Sequence, residues 1–147
     1  MKTQLSEHFS LCELTHSATA QRLGILNVPS PAIIARLETL CRDILEPLRH
    51  KWGAPVVVSS GYRSCVLNRR IGGVSNSDHL IGLAADIHTL SNTPSDNRRL
   101  FYLAAWLMRD NTLKNVKQLI DEHNYSWIHI SLQDGSTPKR GEMLHLP

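Results

Sequence analysis

The chain has 147 residues and no apolar run near the roughly 20 residues that span a bilayer, so membrane insertion is not expected. It holds three cysteines, Cys12, Cys41 and Cys65, with no C-x-x-C spacing. That excludes a disulfide framework or a Cys-rich zinc site, and the three thiols are expected as small buried apolar side chains. Charge of one sign is scarce too: 16 Lys and Arg against 13 Asp and Glu leave a net +3. The cations are scattered, as in Arg69-Arg70 and Arg98-Arg99, without a continuous basic stripe or interleaved aromatics, so no nucleic-acid partner is expected. Residues Met1 to His8 carry no apolar core behind Lys2, so no secretory signal is read there and synthesis is expected to be cytoplasmic. No repeat, low-complexity tract or Pro/Gly-rich linker divides the sequence, and 41% apolar with 20% charged residues suits one globular domain over 1–147.

Residues 1–29 read as short helices and turns, with Ser6 or Ser10 as a cap. Ser30-Pro31 then looks like an N-cap followed by proline at the first helical position. Ile33, Ile34, Leu37, Leu40, Cys41, Ile44, Leu45 and Leu48 mark one apolar face of a helix over about 31–50, with Pro47 expected to kink or end it. Val56-Val57-Val58-Ser59 is a β-branched strand, 64–71 a short helix closed by Gly72-Gly73, 74–81 a loop and 83–89 a second strand. Leu100, Leu103, Ala104, Leu107 and Met108 trace a helix capped by Ser95 or Asp96. Residues 116–122 and 127–132 form a hairpin, and 135–147 an irregular tail. This order of elements predicts an α+β domain with a small, mainly antiparallel sheet flanked by helices.

The chemistry concentrates in Ser77-Asp78-His79-Leu80-Ile81-Gly82-Leu83-Ala84-Ala85-Asp86. Gly82 permits a sharp turn between His79 and Asp86. On the strand beyond that turn, Asp86 shares a face with Ala84 and His88. In Trp127-Ile128-His129-Ile130-Ser131-Leu132, His129 shares a face with Trp127 and Ser131 while the three aliphatic residues line the other. If the two strands are neighbours, His79, Asp86 and His129 converge. Two imidazoles and one carboxylate suit Zn²⁺ and leave a fourth position for water, as catalytic zinc sites do. The same donor types also describe a non-haem iron triad, whose ligands usually sit closer in sequence.

The wording Ser77-x-His79-x-x-Gly82-x-Ala84-x-Asp86 with a later Trp127-x-His129 resembles the zinc D-Ala-D-Ala metallopeptidase family, which includes DD-carboxypeptidases, DD-dipeptidases and phage L-alanyl-D-glutamate endolysins. Ser59-Ser60-Gly61-Tyr62-Arg63-Ser64, Leu67-Asn68, Leu5-Ser6-Glu7-His8-Phe9 and Leu45-Glu46-Pro47-Leu48-Arg49 match as well, so the likeness covers nearly all of 4–132. It looks like the short, phage-associated branch. The resemblance implies a Hedgehog/DD-peptidase fold, zinc on His79, Asp86 and His129, and hydrolysis of stem-peptide bonds in peptidoglycan, with action on the wall only after release.

By the same resemblance Arg63 is a candidate catalytic residue. Its guanidinium is suited to hold a scissile carbonyl oxygen or to clamp a substrate carboxylate, and a structural role in its turn is the plainer alternative. The general base departs from the pattern: many relatives have Glu or Asp where this chain has Ser126. Glu122 is the substitute, because strand alternation sets Gln118, Ile120 and Glu122 on one face and Asp121 on the other. Asp121 and His123 are weaker candidates. Ser77, Asp78, Tyr62 and Trp127 are expected to contact substrate or wall the cleft. A zinc-containing module that binds wall peptides without cutting them is the alternative that the acid missing at 126 leaves open.

Overall fold

The computed structural model describes residues 3–135 and 141–147. Helix α1 (Leu11–Thr15) opens on a capping box in which the Ser10 hydroxyl accepts from the Glu13 N–H and the Glu13 carboxylate accepts from the Ser10 N–H. Ser6 is not a cap; its hydroxyl donates to Glu46 Oε1. Helix α2 (Ala18–Leu23) starts after a Ser17 cap. Helix α3 (Pro31–Leu40) begins with Ser30 as N-cap, as its sequence predicts.

Pro47 does not end the helical run. A π-helical turn, Cys41–Leu45, continues into α4 (Glu46–Trp52). Proline has no N–H to give and its ring presses on the carbonyl four residues back. The wider turn, in which the Glu46 N–H reaches the Cys41 carbonyl, absorbs both problems.

Strand β1 (Val56–Ser60), helix α5 (Cys65–Arg70) and strand β2 (Ala84–Thr89) lie where the sequence puts them. The expected loop before β2 contains a 3₁₀ turn, Asp78–Ile81. Helix α6 (Pro94–Arg109) is capped by Thr93, not by Ser95 or Asp96, because Pro94 already occupies the first helical position and the Thr93 hydroxyl accepts from the Asp96 N–H. Strands β3 (Val116–Glu122) and β4 (Trp127–Leu132) form the hairpin. The tail is not wholly irregular. Residues 142–146 form β5 (Glu142–Leu146), paired parallel to β3, while 136–140 lie outside the described residues. Five residues with no clean apolar alternation carry too little pattern to reveal a strand whose pairing is supplied by the β3 backbone.

The described strands form one sheet in the order β1-β2-β4-β3-β5, antiparallel except for β3–β5. This is the α+β class the element order predicts. Ala85 and Ile87 of β2, Leu119 of β3, and Ile128 and Ile130 of β4 are buried in one core with Leu37, Ile44, Leu48, Leu100 and Phe101 of the helices. Each of the Leu, Ile and Phe side chains among them contributes about 1.5–3 kcal/mol on leaving water. Only Cys41 joins this core, where burial pushes its thiol up to about 12; Cys12 and Cys65 are exposed, contrary to expectation, since each sits on the outer side of a short helix. The opposite sheet face carries Asp86, His129, Gln118 and Glu122. No helix among the described residues is long and apolar enough to cross a membrane.

Candidate metal centre

Where β1 leaves the sheet, the Tyr62 N–H donates to the Leu14 carbonyl at 2.7 Å. The approach is so close that a Cβ on Gly61 would collide with the Leu14 backbone, so the Ser-Gly-Tyr-Arg turn needs its glycine. Next, the Arg63 N–H donates to the His79 carbonyl at 3.0 Å and ties this turn to the 3₁₀ turn. The Ser77 hydroxyl accepts from the His79 N–H at 3.2 Å. Gly82, at φ 79°, ends the 3₁₀ turn in the left-handed region, and a side chain there would run into Ile33. The chain thereby reverses directly into β2.

Asp86 and His129 are direct cross-strand partners on β2 and β4. His129 Nδ1 lies 3.1 Å from Asp86 Oδ1, and His79 Nε2 lies 3.3 Å from the same oxygen. One donor atom from each of the three falls within 4.8 Å of the others. The two imidazole rings meet nearly edge to face, with centroids 5.1 Å apart. His79 is buried, at 2% exposure, and its Nδ1 donates to the Gly61 carbonyl at 2.6 Å. A carbonyl only accepts, so Nδ1 carries the hydrogen and Nε2 turns its lone pair toward Asp86. Burial alone would raise the Asp86 carboxyl. The His129 and His79 rings packed against it outweigh burial and hold it well below the usual carboxylate range. Electron-pair donors crowded around one point need a cation among them. Two imidazoles and a carboxylate are a donor set for zinc and similar divalent ions, so these residues fit a metal.

The trio opens into a cavity of about 480 Å³ that Arg63, Ser77, Asp78, Glu122 and Trp127 also line. Arg63 donates from Nη2 to the Ser77 hydroxyl at 3.3 Å, while its Nε is buried without a hydrogen-bond partner. Burial lowers the guanidinium's pKa and the Asp86 charge opposes that. Half-buried Glu122 faces the same cavity, and its carboxylate has no hydrogen bond or ion pair to another described residue. The Ser126 hydroxyl donates to the His123 carbonyl and closes the β3–β4 turn. Asp121 points to the other face, where it accepts from the Tyr125 N–H and pairs with His145, so it is no candidate base.

Tyr62 does not wall this cavity. Its turn swings it into the core, where it is 8% exposed. His88 likewise stays apart from Asp86, donating from Nδ1 to the Thr89 carbonyl at 2.6 Å. Asp78 lines the cavity but is already paired, since Lys117 Nζ reaches its two carboxylate oxygens at 2.8 and 3.0 Å. Sequence reasoning missed Lys117 because strict alternation puts it on the helix side with Leu119 and Asp121. The register slips between Val116 and Gln118, and this bulge brings Lys117 to the cavity. Leu146 of β5 also lines the cavity and went unseen with its strand.

A family model described as Peptidase M15 matches residues 7–131. A zinc D-Ala-D-Ala carboxypeptidase from Streptomyces albus G is 46% identical over 44 residues, which are 29% of this chain and 17% of that protein. The match thus spans less than a fifth of that relative's length.

Proposed function

From the premise that this chain belongs to the peptidase M15 family, we propose that it is a zinc-dependent hydrolase of peptide bonds in the peptidoglycan stem, of DD-carboxypeptidase or LD-endopeptidase type. The observation that carries this reading is the convergence of His79, Asp86 and His129 in a cavity that an unpaired Glu122 also faces. The α+β sheet with its site on the face opposite the main helical core is compatible with a Hedgehog/DD-peptidase fold.

His79 Nε2, Asp86 Oδ1 and His129 Nδ1 would hold the zinc. Such an ion supplies Lewis acidity and brings the pKa of a water toward about 7. The Glu122 carboxylate takes a proton from the attacking water and returns it to the departing amine. The Arg63 guanidinium, with Nε unengaged, donates to the scissile carbonyl oxygen as charge develops or to a substrate carboxylate. Trp127 offers an apolar wall for the stem peptide, and Ser77 holds both Arg63 and the His79 backbone in place. Asp78 acts on the site through Lys117, fixing the loop that carries His79. We place the protein's action at the cell wall, after release from the cytoplasm.

Digestion of defined muropeptides, with products sized by mass spectrometry, tests this. The expected result is one cleaved stem-peptide bond whose product disappears with chelator and returns with zinc. Tight binding of the muropeptides without any product would replace the hydrolase by a binding module.

A further inference from the structure

On the helix side of the sheet lies a groove of about 1120 Å³ between the end of α4, the first turns of α6 and the β3–β4 turn. We infer that this groove binds an anionic saccharide chain, separately from the metal centre. Lys51, Arg98 and Arg99 line it, and among the described residues no acidic one does. The Arg98 guanidinium lies over the Tyr102 ring, 5.6 Å from its centre, and that of Arg99 lies 5.4 Å from the centre of the Trp52 ring. A guanidinium beside an aromatic ring keeps its charge, and its N–H groups suit a bidentate anion. Asp96 is the acidic residue paired with Arg99, at 3.5 Å through exposed side chains, a contact too long and too wet to neutralise it. A concave surface with one sign of charge concentrates the opposite sign. Trp52, Tyr102 and Tyr125 also line the groove, and the aromatic surface that those cations leave free suits the C–H face of a sugar ring more than a flexible acidic peptide.

The groove's place in the fold supports the same occupant. Asn124 and Tyr125 belong to the turn between Glu122 and Trp127, which line the metal cavity on the other side. His123, Asn124 and Tyr125 all hold φ near 50–60°, a left-handed run that non-glycine residues rarely adopt. Asp121 and Asn97 pin it by hydrogen bonds to the Tyr125 N–H and carbonyl. A polymer lying in the groove therefore passes one fixed turn away from the cleft. Choosing a wall saccharide over other polyanions rests on the peptidase reading; the groove's charge and aromatic lining do not.

Calorimetric titration of the full chain with four probes tests the inference: oligogalacturonate, dextran of matched length, polyglutamate and a single-stranded oligothymidylate. Oligogalacturonate is expected to bind at least tenfold more tightly than each of the other three. The pair Arg98→Gln/Arg99→Gln should lose at least tenfold, Tyr102→Ala several-fold, and Arg69→Gln/Arg70→Gln, which removes equal charge from α5, less than twofold. Arg98, Arg99 and Tyr102 are exposed, so unchanged melting is expected; if the double variant melts early, Arg99→Lys, which keeps charge but loses the bidentate N–H groups, takes its place. Equal binding of polyglutamate or the oligonucleotide, or equal loss in the α5 pair, would overturn the saccharide site. Cleavage of a sugar-free stem peptide should be unchanged in the groove variants, so a failed peptidase reading appears in that assay and a failed groove in the titration.

Discussion

His79 is held to Gly61 by a 2.6 Å hydrogen bond from Nδ1 to the backbone carbonyl, and that bond decides which nitrogen faces Asp86. The carbonyl is in place because Gly61 lacks a side chain that would strike Leu14. Gly61→Ala should therefore displace the carbonyl and loosen the ring. Loss of an outer partner of a metal-bound histidine typically costs about 10–100-fold in metal affinity. A chelator competition assay on folded Gly61→Ala protein checks this; unaltered affinity would show that the bond does not orient the ring.

Glu122 is expected to matter for turnover and not for metal. Glu122→Gln keeps the size and the cavity but removes the proton acceptor. Turnover should fall by about 10²–10⁴-fold, the usual weight of a general base, with KM and zinc content little changed. Steady-state kinetics on a stem peptide reads this directly, and full activity in the variant would return the base to another group.

Lys117 and Asp78 are both largely withdrawn from water, with 16% and 10% of their side chains exposed. Removing one partner leaves a buried charge alone. Lys117→Met should cost about 3 kcal/mol in urea unfolding, and Asp78→Asn added to it should recover much of that. Additive losses would mean that the pair is not energetically coupled.

How much of this was legible in the sequence depends on the kind of order each part has. The facing of β2 and β4 was readable, because Ile87, Ile128 and Ile130 must face the core and so turn Asp86 and His129 outward, whereas their direct pairing came from the structure. Glu122 was readable too, since alternation is regular from Gln118 onward. Lys117 was not, because a bulge breaks alternation at its position and nothing local in Asn115-Val116-Lys117 announces it. Tyr62 sits in a turn, which has no periodicity, and its direction is set by the distant Leu14 carbonyl. Strand β5 owes its conformation to the β3 edge, a partner more than twenty residues away.

Glu46 ties the N-terminal segment to α4. Burial alone would raise its carboxyl, but hydrogen bonds from the His8 ring, the Ser6 hydroxyl and the His8 N–H prevail and set it below its ordinary 4.5. A carboxyl depressed in the folded state adds stability above its unfolded value, and that share is lost as pH falls through the folded value. Glu46→Gln should thus be less stable than the parent at neutral pH, by about 1–2 kcal/mol for weakened hydrogen bonds to a charged group. The gap should close as pH drops below 4.5. Urea unfolding of both proteins across that range checks it; a constant gap would contradict the assignment.

The most direct test of the central claim is an equilibrium zinc titration of the chain and of His79→Ala, Asp86→Ala and His129→Ala. The account expects one zinc per chain, released on acidification as protons compete for the same atoms. Each substitution should lower affinity by more than about 100-fold, beyond what losing an outer partner costs. Stoichiometric zinc held with undiminished affinity by all three variants would contradict it.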